Sequence, residues 1–151
     1  MIDHLLKEKN CRIIEGTNGW KDAIHESLRP LIEDGDCTEE YVQAVYDSTE
    51  QHGPYYVLTD NMALIHATNK VGVSRTQMAV TVVKNPVRFT EDGPDVRILI
   101  ALAAVDSDSH IEGMTAVMGL FGDEDHSDEI LAAPDGKTIY ELFDRYSIDT
   151  E

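Results

Sequence analysis

The chain has 151 residues and a net charge of −17, from 29 Asp and Glu against 12 Lys and Arg, and 42% of its residues are hydrophobic. This is the composition of an ordinary globular protein, and the excess of carboxylates argues against binding to nucleic acid or to anionic lipid. No apolar run approaches the ~20 residues of a membrane span, and the N-terminus lacks the apolar segment of a signal peptide. The sequence therefore predicts a cytoplasmic protein with no direct membrane insertion, whose two cysteines are reduced.

The first third of the chain predicts one strand followed by two helices. Residues 11–16 form a short β-like run, and the apolar residues of 19–35 recur at helical spacing. Thr38 is the expected N-cap of a second helix, which the His-Gly-Pro sequence at 52–54 brings to an end.

The middle of the chain is rich in predicted strands. Residues 55–67 indicate two short strands joined by a turn, and 77–83 form a β-branched strand. A loop is predicted for 85–95, which contains two prolines. Residues 96–105 are almost continuously apolar, which is typical of a central strand covered on both faces.

The last third of the chain predicts helices. Ser109 and Glu112 have the spacing of a capping box, so we expect a helix to start there and to end at Gly122. Residues 127–133 and 138–146 predict two shorter helices. Because strands alternate with helices, the predicted fold is a single α/β domain, in which a mixed β-sheet is sandwiched between helices.

Two histidines lie where an α/β fold places its ligands. His66 closes an apolar strand, and His110 falls in the first turn of the helix after the central strand. Ligands of open α/β sheets bind at the carboxyl ends of strands. A helix N-terminus attracts anions and favours a neutral imidazole, which suits transient phosphorylation. Two unrelated structural histidines, or a metal site completed by Asp106 or Asp108, fit the spacing as well.

Three segments of the chain carry a family resemblance: MALIHATNKVGV at 62–73, LIALAAVDSDSHIEGM at 99–114 and HGPYYV at 52–57. They resemble the mannitol/fructose class of enzyme IIA, from the bacterial phosphoenolpyruvate-dependent sugar phosphotransferase system. The third segment is most like the ascorbate branch of that class. The resemblance extends over nearly the whole chain in matching order. It therefore implies one enzyme IIA domain spanning residues 1–151, with a mixed sheet between helices.

The resemblance also implies the role of a phosphocarrier. His66 aligns with the histidine that accepts phosphate from phospho-HPr and passes it to a cysteine of enzyme IIB, for sugar uptake through the membrane permease IIC. His110 aligns with the second active-site histidine, which orients or stabilises the phosphoryl group. No cofactor is implied, and the ascorbate branch indicates ascorbate or a related compound as the sugar.

The sequence departs from the family pattern close to the site. Ile65 replaces the proline that usually precedes the active histidine, and Thr68 and Ser48 occupy positions that often carry a basic residue. The site thereby loses positive charge that would steady a phosphoryl group. Supporting roles are expected from four polar side chains near the two histidines, some of which also suit helix ends: His52, Thr68, Ser107 and Ser109.

These departures leave two further hypotheses open. One is a regulatory module of the same fold, whose phosphorylation state is read by another protein. The other is a metal-dependent hydrolase that uses both histidines and a nearby aspartate.

Overall fold

The fold is described by a computed structural model for residues 2–67 and 71–150. In these residues the strands are β1 (Leu6–Ile14), β2 (Val57–Thr59), β3 (Asn61–Ile65), β4 (Gln77–Val87) and β5 (Val96–Ala103). The helices are α1 (Gly19–Glu33), α2 (Glu39–His52), α3 (Ser107–Phe121), α4 (Glu124–Leu131) and α5 (Gly136–Tyr146), after a short 3-10 helix at Ile2–His4.

The described strands form one mixed sheet in the order β1-β4-β5-β3-β2. β4 is parallel to β1 and antiparallel to β5, while β5 and β3 are parallel neighbours. β2 pairs antiparallel with β3 at one edge. Because β3 and β5 run in the same direction, with Ile65 paired to Ala101, the segments that follow these two strands emerge at the same edge of the sheet.

Helices cover both faces of this sheet, as the sequence predicts. The buried side chains of α1 and α2 form a core with one face, and those of α3, α4 and α5 form a second core with the other face. β5 lies between the two cores, and the side chains of residues 98–103 have no exposed surface. The predicted central strand at 96–105 is therefore confirmed, although it ends at Ala103. Its apolar burial stabilises the sheet by ~25 cal/mol per Å².

Two strands are longer than the sequence predicts. β1 begins at Leu6 and not at residue 11, since an edge strand tolerates the charged side chains of residues 7–9. β4 continues to Val87, through the start of the predicted loop. Its pairing with β5 is irregular between Val82 and Val87. This irregular stretch accommodates Pro86, because a proline has no N–H to donate and would interrupt a regular ladder.

The capping contacts at the starts of two helices differ from the predictions. α2 begins after Thr38 as expected, but the Thr38 side chain makes no capping hydrogen bond, and its hydroxyl instead lies 3.5 Å from the carbonyl oxygen of Gly72. α3 begins at Ser107, and its N-cap is Asp106. The prediction of Ser109 as the N-cap is therefore wrong, because the carboxylate of Asp106 accepts the N–H of Ser109 and starts the helix earlier.

Two sequence predictions concern membranes and cysteines. Within the described residues, none of the helices has the length and apolar character needed to cross a bilayer. Cys11 and Cys37 are both free and buried. Burial raises the pKa of each thiol to about 12, so both stay protonated and unreactive at neutral pH.

Gly113 allows α3 to lie close to β5, and its replacement tests that contact. A Cβ at this position would come within 2.7 and 2.9 Å of the two Cδ atoms of Leu102, which is fully buried. We expect Gly113→Ala to lower the free energy of unfolding by about 1–3 kcal/mol through overpacking. The measurement is urea denaturation followed by circular dichroism.

The matched control is Gly122→Ala at the C-cap of the same helix, where no described atom lies within 4 Å of the added Cβ. The control should unfold at the wild-type urea concentration or above it. Equal stability of the two variants would contradict the close contact at Gly113.

Candidate functional site

His66 and His110 lie side by side at the edge of the sheet where β3 and β5 end. Their ring centroids are 4.8 Å apart, and the ring planes are inclined by 61°. His66 follows the last residue of β3, and His110 lies near the start of α3, the helix after β5. The structure therefore brings together the two histidines that the sequence singles out.

The His66 imidazole is oriented by the backbone of its own strand. Its Nδ1 lies 2.6 Å from the carbonyl oxygen of Leu64. A carbonyl oxygen can only accept a hydrogen bond, so Nδ1 carries the ring proton and donates it. Nε2 is then the unprotonated nitrogen, and its lone pair is available to attack an electrophile.

The electrostatic surroundings keep this imidazole neutral. Burial lowers the pKa of His66 below its ordinary value of 6.5, and the neighbouring His110 lowers it further, while the hydrogen bond to Leu64 acts in the opposite direction. At pH 7 the ring is therefore uncharged, which is the state in which an imidazole acts as a nucleophile.

A chain of hydrogen bonds holds the helix that carries His110. The carboxylate of Asp106 accepts the N–H and the hydroxyl of Ser109, each at 2.8 Å. The Thr76 hydroxyl donates to Ser109 Oγ at 2.9 Å and accepts the N–H of Val105 at 3.1 Å. These hydrogen bonds connect the start of α3 to Thr76, the residue that precedes β4. The positive end of the helix dipole consequently lies beside His110, where it attracts an anion.

The sequence did not point to three residues that contact this region, which are Tyr41, Tyr55 and Thr76. The Tyr55 ring stands edge-on to His66, with centroids 5.2 Å apart, and the Tyr41 hydroxyl accepts the N–H of Ala67 at 3.1 Å. Tyr41 belongs to an apolar helix stripe and is read as core, so the sequence carries no signal for its hydroxyl. The one signal for Thr76 is its place immediately before β4, the neighbour of β5.

The four side chains expected to support the histidines occupy different places. His52 is the last residue of α2, and its ring centroid is 6.5 Å from that of Tyr55. The Tyr55 ring in turn contacts His66. Ser109 belongs to the capping box, and Ser107 is the exposed first residue of α3. Thr68 lies outside the described residues.

The departures from the family pattern can be located in the same way. Ser48 is buried, and it hydrogen-bonds the Tyr55 hydroxyl, which partly offsets the burial that raises the pKa of Tyr55. Arg75 is a cation close to the site in sequence, but it pairs with the fully buried carboxylate of Asp36 at 2.6 Å. Its charge therefore ties the segment after residue 70 to the α1–α2 connection.

The geometry gives no support to the metal-dependent alternative. Within residues 2–67 and 71–150, no three His, Cys, Asp or Glu side chains are grouped so that they could hold a metal ion. The carboxylate of Asp106, one of the ligands considered, accepts hydrogen bonds from Ser109 as the N-cap of α3.

Comparison with known sequences gives consistent matches. Residues 4–146 match the family described as "Phosphoenolpyruvate-dependent sugar phosphotransferase system, EIIA 2". The ascorbate-specific PTS system EIIA component of Shigella boydii serotype 4 (strain Sb227) is 35% identical over 145 residues, which cover 95% of this chain and 94% of that protein.

Comparison with solved structures agrees. The mannitol-specific cryptic phosphotransferase enzyme IIA of Escherichia coli, solved in solution, has a TM-score of 0.83 and 30% identity, over 95% of this chain and 97% of that chain. A complex of enzyme IIAMTL and phosphorylated enzyme IIBMTL from Escherichia coli has a TM-score of 0.75 and 25% identity, over 93% of this chain and 99% of that chain. The α/β fold with a mixed sheet is therefore shared with these proteins.

The lowered pKa of His66 predicts how the ring titrates. We expect its resonances in the folded chain to titrate below pH 6.5, and in the urea-unfolded chain at the ordinary value. The unfolded state then binds more protons in this window, so the free energy of unfolding falls as the pH drops through 6.5 towards the folded pKa.

The measurement is an NMR titration of the histidine rings, with His66→Ala used to assign the signal. The same variant should lose part of the acid dependence of stability. A His66 pKa at or above 6.5 in the folded chain would contradict the buried, neutral imidazole.

Proposed function

We propose a function that starts from the family of this chain. The chain belongs to the EIIA 2 family of the phosphoenolpyruvate-dependent sugar phosphotransferase system. It is an EIIA component of sugar transport, a phosphocarrier of the phosphotransferase type. Within that class we take residues 1–151 as one enzyme IIA domain and His66 as the phosphoryl acceptor. The observation that supports this assignment best is the 4.8 Å separation of the His66 and His110 rings.

In the first proposed step, Nε2 of His66 attacks the phosphorus of phospho-HPr. A nitrogen–phosphorus bond forms on His66 as the corresponding bond on HPr breaks, and the HPr imidazole leaves with the electron pair. The phosphorylated ring gains positive charge while Nδ1 keeps its proton. The carbonyl oxygen of Leu64, 2.6 Å from Nδ1, offsets that charge.

His110 is proposed to stabilise the phosphoryl group. A ring N–H of His110 donates to a phosphoryl oxygen, and the N-terminus of α3 adds positive potential on the same side. Phosphoryl transfer depends mainly on such positioning and charge stabilisation. The fixed start of α3, held through Asp106, Ser109 and Thr76, supports this role because it leaves His110 little freedom to move away.

In the second proposed step, the thiolate of a cysteine on enzyme IIB attacks the phosphorus, and Nε2 of His66 is the leaving group. Neither buried cysteine of this chain takes that part. The likeness to an enzyme IIA solved in complex with phosphorylated enzyme IIB supports the choice of partner. The sugar then enters through permease IIC, and this chain works in the cytoplasm. An ascorbate-like sugar is supported by the 35% identity to an ascorbate-specific component.

The role of His66 is tested by substitution. We expect His66→Ala to accept no phosphate from phospho-HPr, because the attacking nitrogen is lost. His110→Ala should still be phosphorylated but should pass its phosphate to enzyme IIB roughly a hundredfold more slowly, through loss of charge stabilisation. The measurement is acid-labile ³²P labelling of the protein, followed over time.

His25→Ala is the matched control, because His25 lies on α1 and pairs with Glu39. It should behave as the wild type in both steps. Undiminished labelling of His66→Ala would overturn the proposed acceptor.

Transfer to enzyme IIB separates the carrier from the regulatory alternative. We expect the phosphorylated chain to lose its label to enzyme IIB of an ascorbate system within minutes, and more slowly to enzyme IIB of a mannitol system. A chain that keeps its phosphate with every enzyme IIB offered would contradict the carrier and favour the regulatory module. Faster transfer to the mannitol partner would contradict the ascorbate-like substrate alone.

A further inference from the structure

The peptide group that joins His66 to Ala67 is held at both of its polar atoms by tyrosine hydroxyls. The Tyr55 hydroxyl donates to the carbonyl oxygen of His66 at 2.7 Å. The Tyr41 hydroxyl accepts the N–H of Ala67 at 3.1 Å. These two contacts, which we call the peptide clamp, act on opposite ends of a single planar unit.

Both tyrosines are themselves anchored. Tyr41 is buried, and its hydroxyl donates to the carbonyl oxygen of Leu102 on β5 at 2.8 Å. Burial raises the pKa of Tyr41, so its hydroxyl keeps the proton that this bond requires. Tyr55 is held by the hydrogen bond with buried Ser48. The peptide after His66 is thereby connected to the centre of the sheet on one side and to α2 on the other.

The clamp constrains the imidazole through the backbone. His66 follows the last residue of β3, so the next pair of ladder hydrogen bonds no longer fixes its outgoing peptide. The two tyrosine contacts oppose rotation of that peptide and so help to keep the His66 backbone in the conformation that brings Nδ1 within 2.6 Å of the carbonyl oxygen of Leu64. That contact sets the tautomer, and with it the nitrogen that attacks.

We propose that Tyr41 and Tyr55 are positioning residues, which lock the His66–Ala67 peptide so that the imidazole stays in the Nδ1–H tautomer and presents Nε2. Neither tyrosine exchanges a proton or a phosphoryl group in this scheme. The expected effect on the ring tautomer depends only on the clamp. The expected effect on the transfer rate rests on the proposed function as well. The tautomer can be observed without any phosphoryl donor.

The test compares Tyr41→Phe, Tyr55→Phe and the double variant with Tyr56→Phe. Tyr56 is the matched control, because its hydroxyl is also buried and makes a 2.7 Å hydrogen bond, but to Thr49 and not to the peptide. Each substitution removes one hydroxyl and keeps the ring. Tyr55 is only half-buried, so Tyr55→Phe decides the question if Tyr41→Phe does not fold.

The first readout is ¹⁵N NMR of the His66 ring, which reports the nitrogen that carries the proton. We expect wild type and Tyr56→Phe to hold the Nδ1–H form, and both clamp variants to show a mixture of tautomers. The second readout is the rate of labelling from phospho-HPr, which should fall roughly tenfold in each clamp variant and about a hundredfold in the double variant, as misplacement of a reacting atom predicts.

A clamp variant with the wild-type tautomer, or a rate loss equal to that of Tyr56→Phe, would overturn the proposal and leave the assignment of His66 intact. The two proposals fail separately. A chain that accepts no phosphate at all, yet shows the predicted change of tautomer, would keep the peptide clamp and reject the phosphocarrier.

Discussion

The parallel pairing of β3 with β5 is the constraint on which the site depends. Parallel neighbours end at the same edge of a sheet, so the residue after β3 and the helix after β5 must meet there. With Ile65 in register with Ala101, the imidazole of His66 lies 4.8 Å from that of His110. The two cores on either face of β5 stabilise this arrangement, because every side chain of residues 98–103 is buried.

Hydrogen bonds that involve the backbone then orient the His66 ring and fix the helix that carries His110. The carbonyl oxygen of Leu64 selects the tautomer of His66, and the capping box of Asp106 and Ser109 fixes the start of α3 beside His110. Backbone groups suit this task since they are held by the sheet and the helix and cost little further ordering when a ligand arrives. The hydroxyl of Thr76 extends the same principle to the connection before β4.

Charge sets the conditions under which such a site works. The chain carries a net charge of −17, so its overall field favours the approach of a partner protein with a basic surface. Burial keeps the pKa of His66 low, which leaves its imidazole neutral at pH 7. Ser48 occupies a position that often carries a basic residue in the family, and here it forms a hydrogen bond with the Tyr55 hydroxyl instead.

The sequence by itself determined the α/β class, the apolar central strand, most helices and the two histidines, because periodicity and local motifs encode these features. It placed the start of α3 at the wrong residue, since Asp106 and Ser109 both suit a cap and only the surrounding contacts choose between them. Tertiary structure alone decided the sheet order, the 4.8 Å separation of the imidazoles and the contacts of Tyr41 and Tyr55. These depend on residues far apart in the chain, whose meeting is set by the packing of the whole sheet.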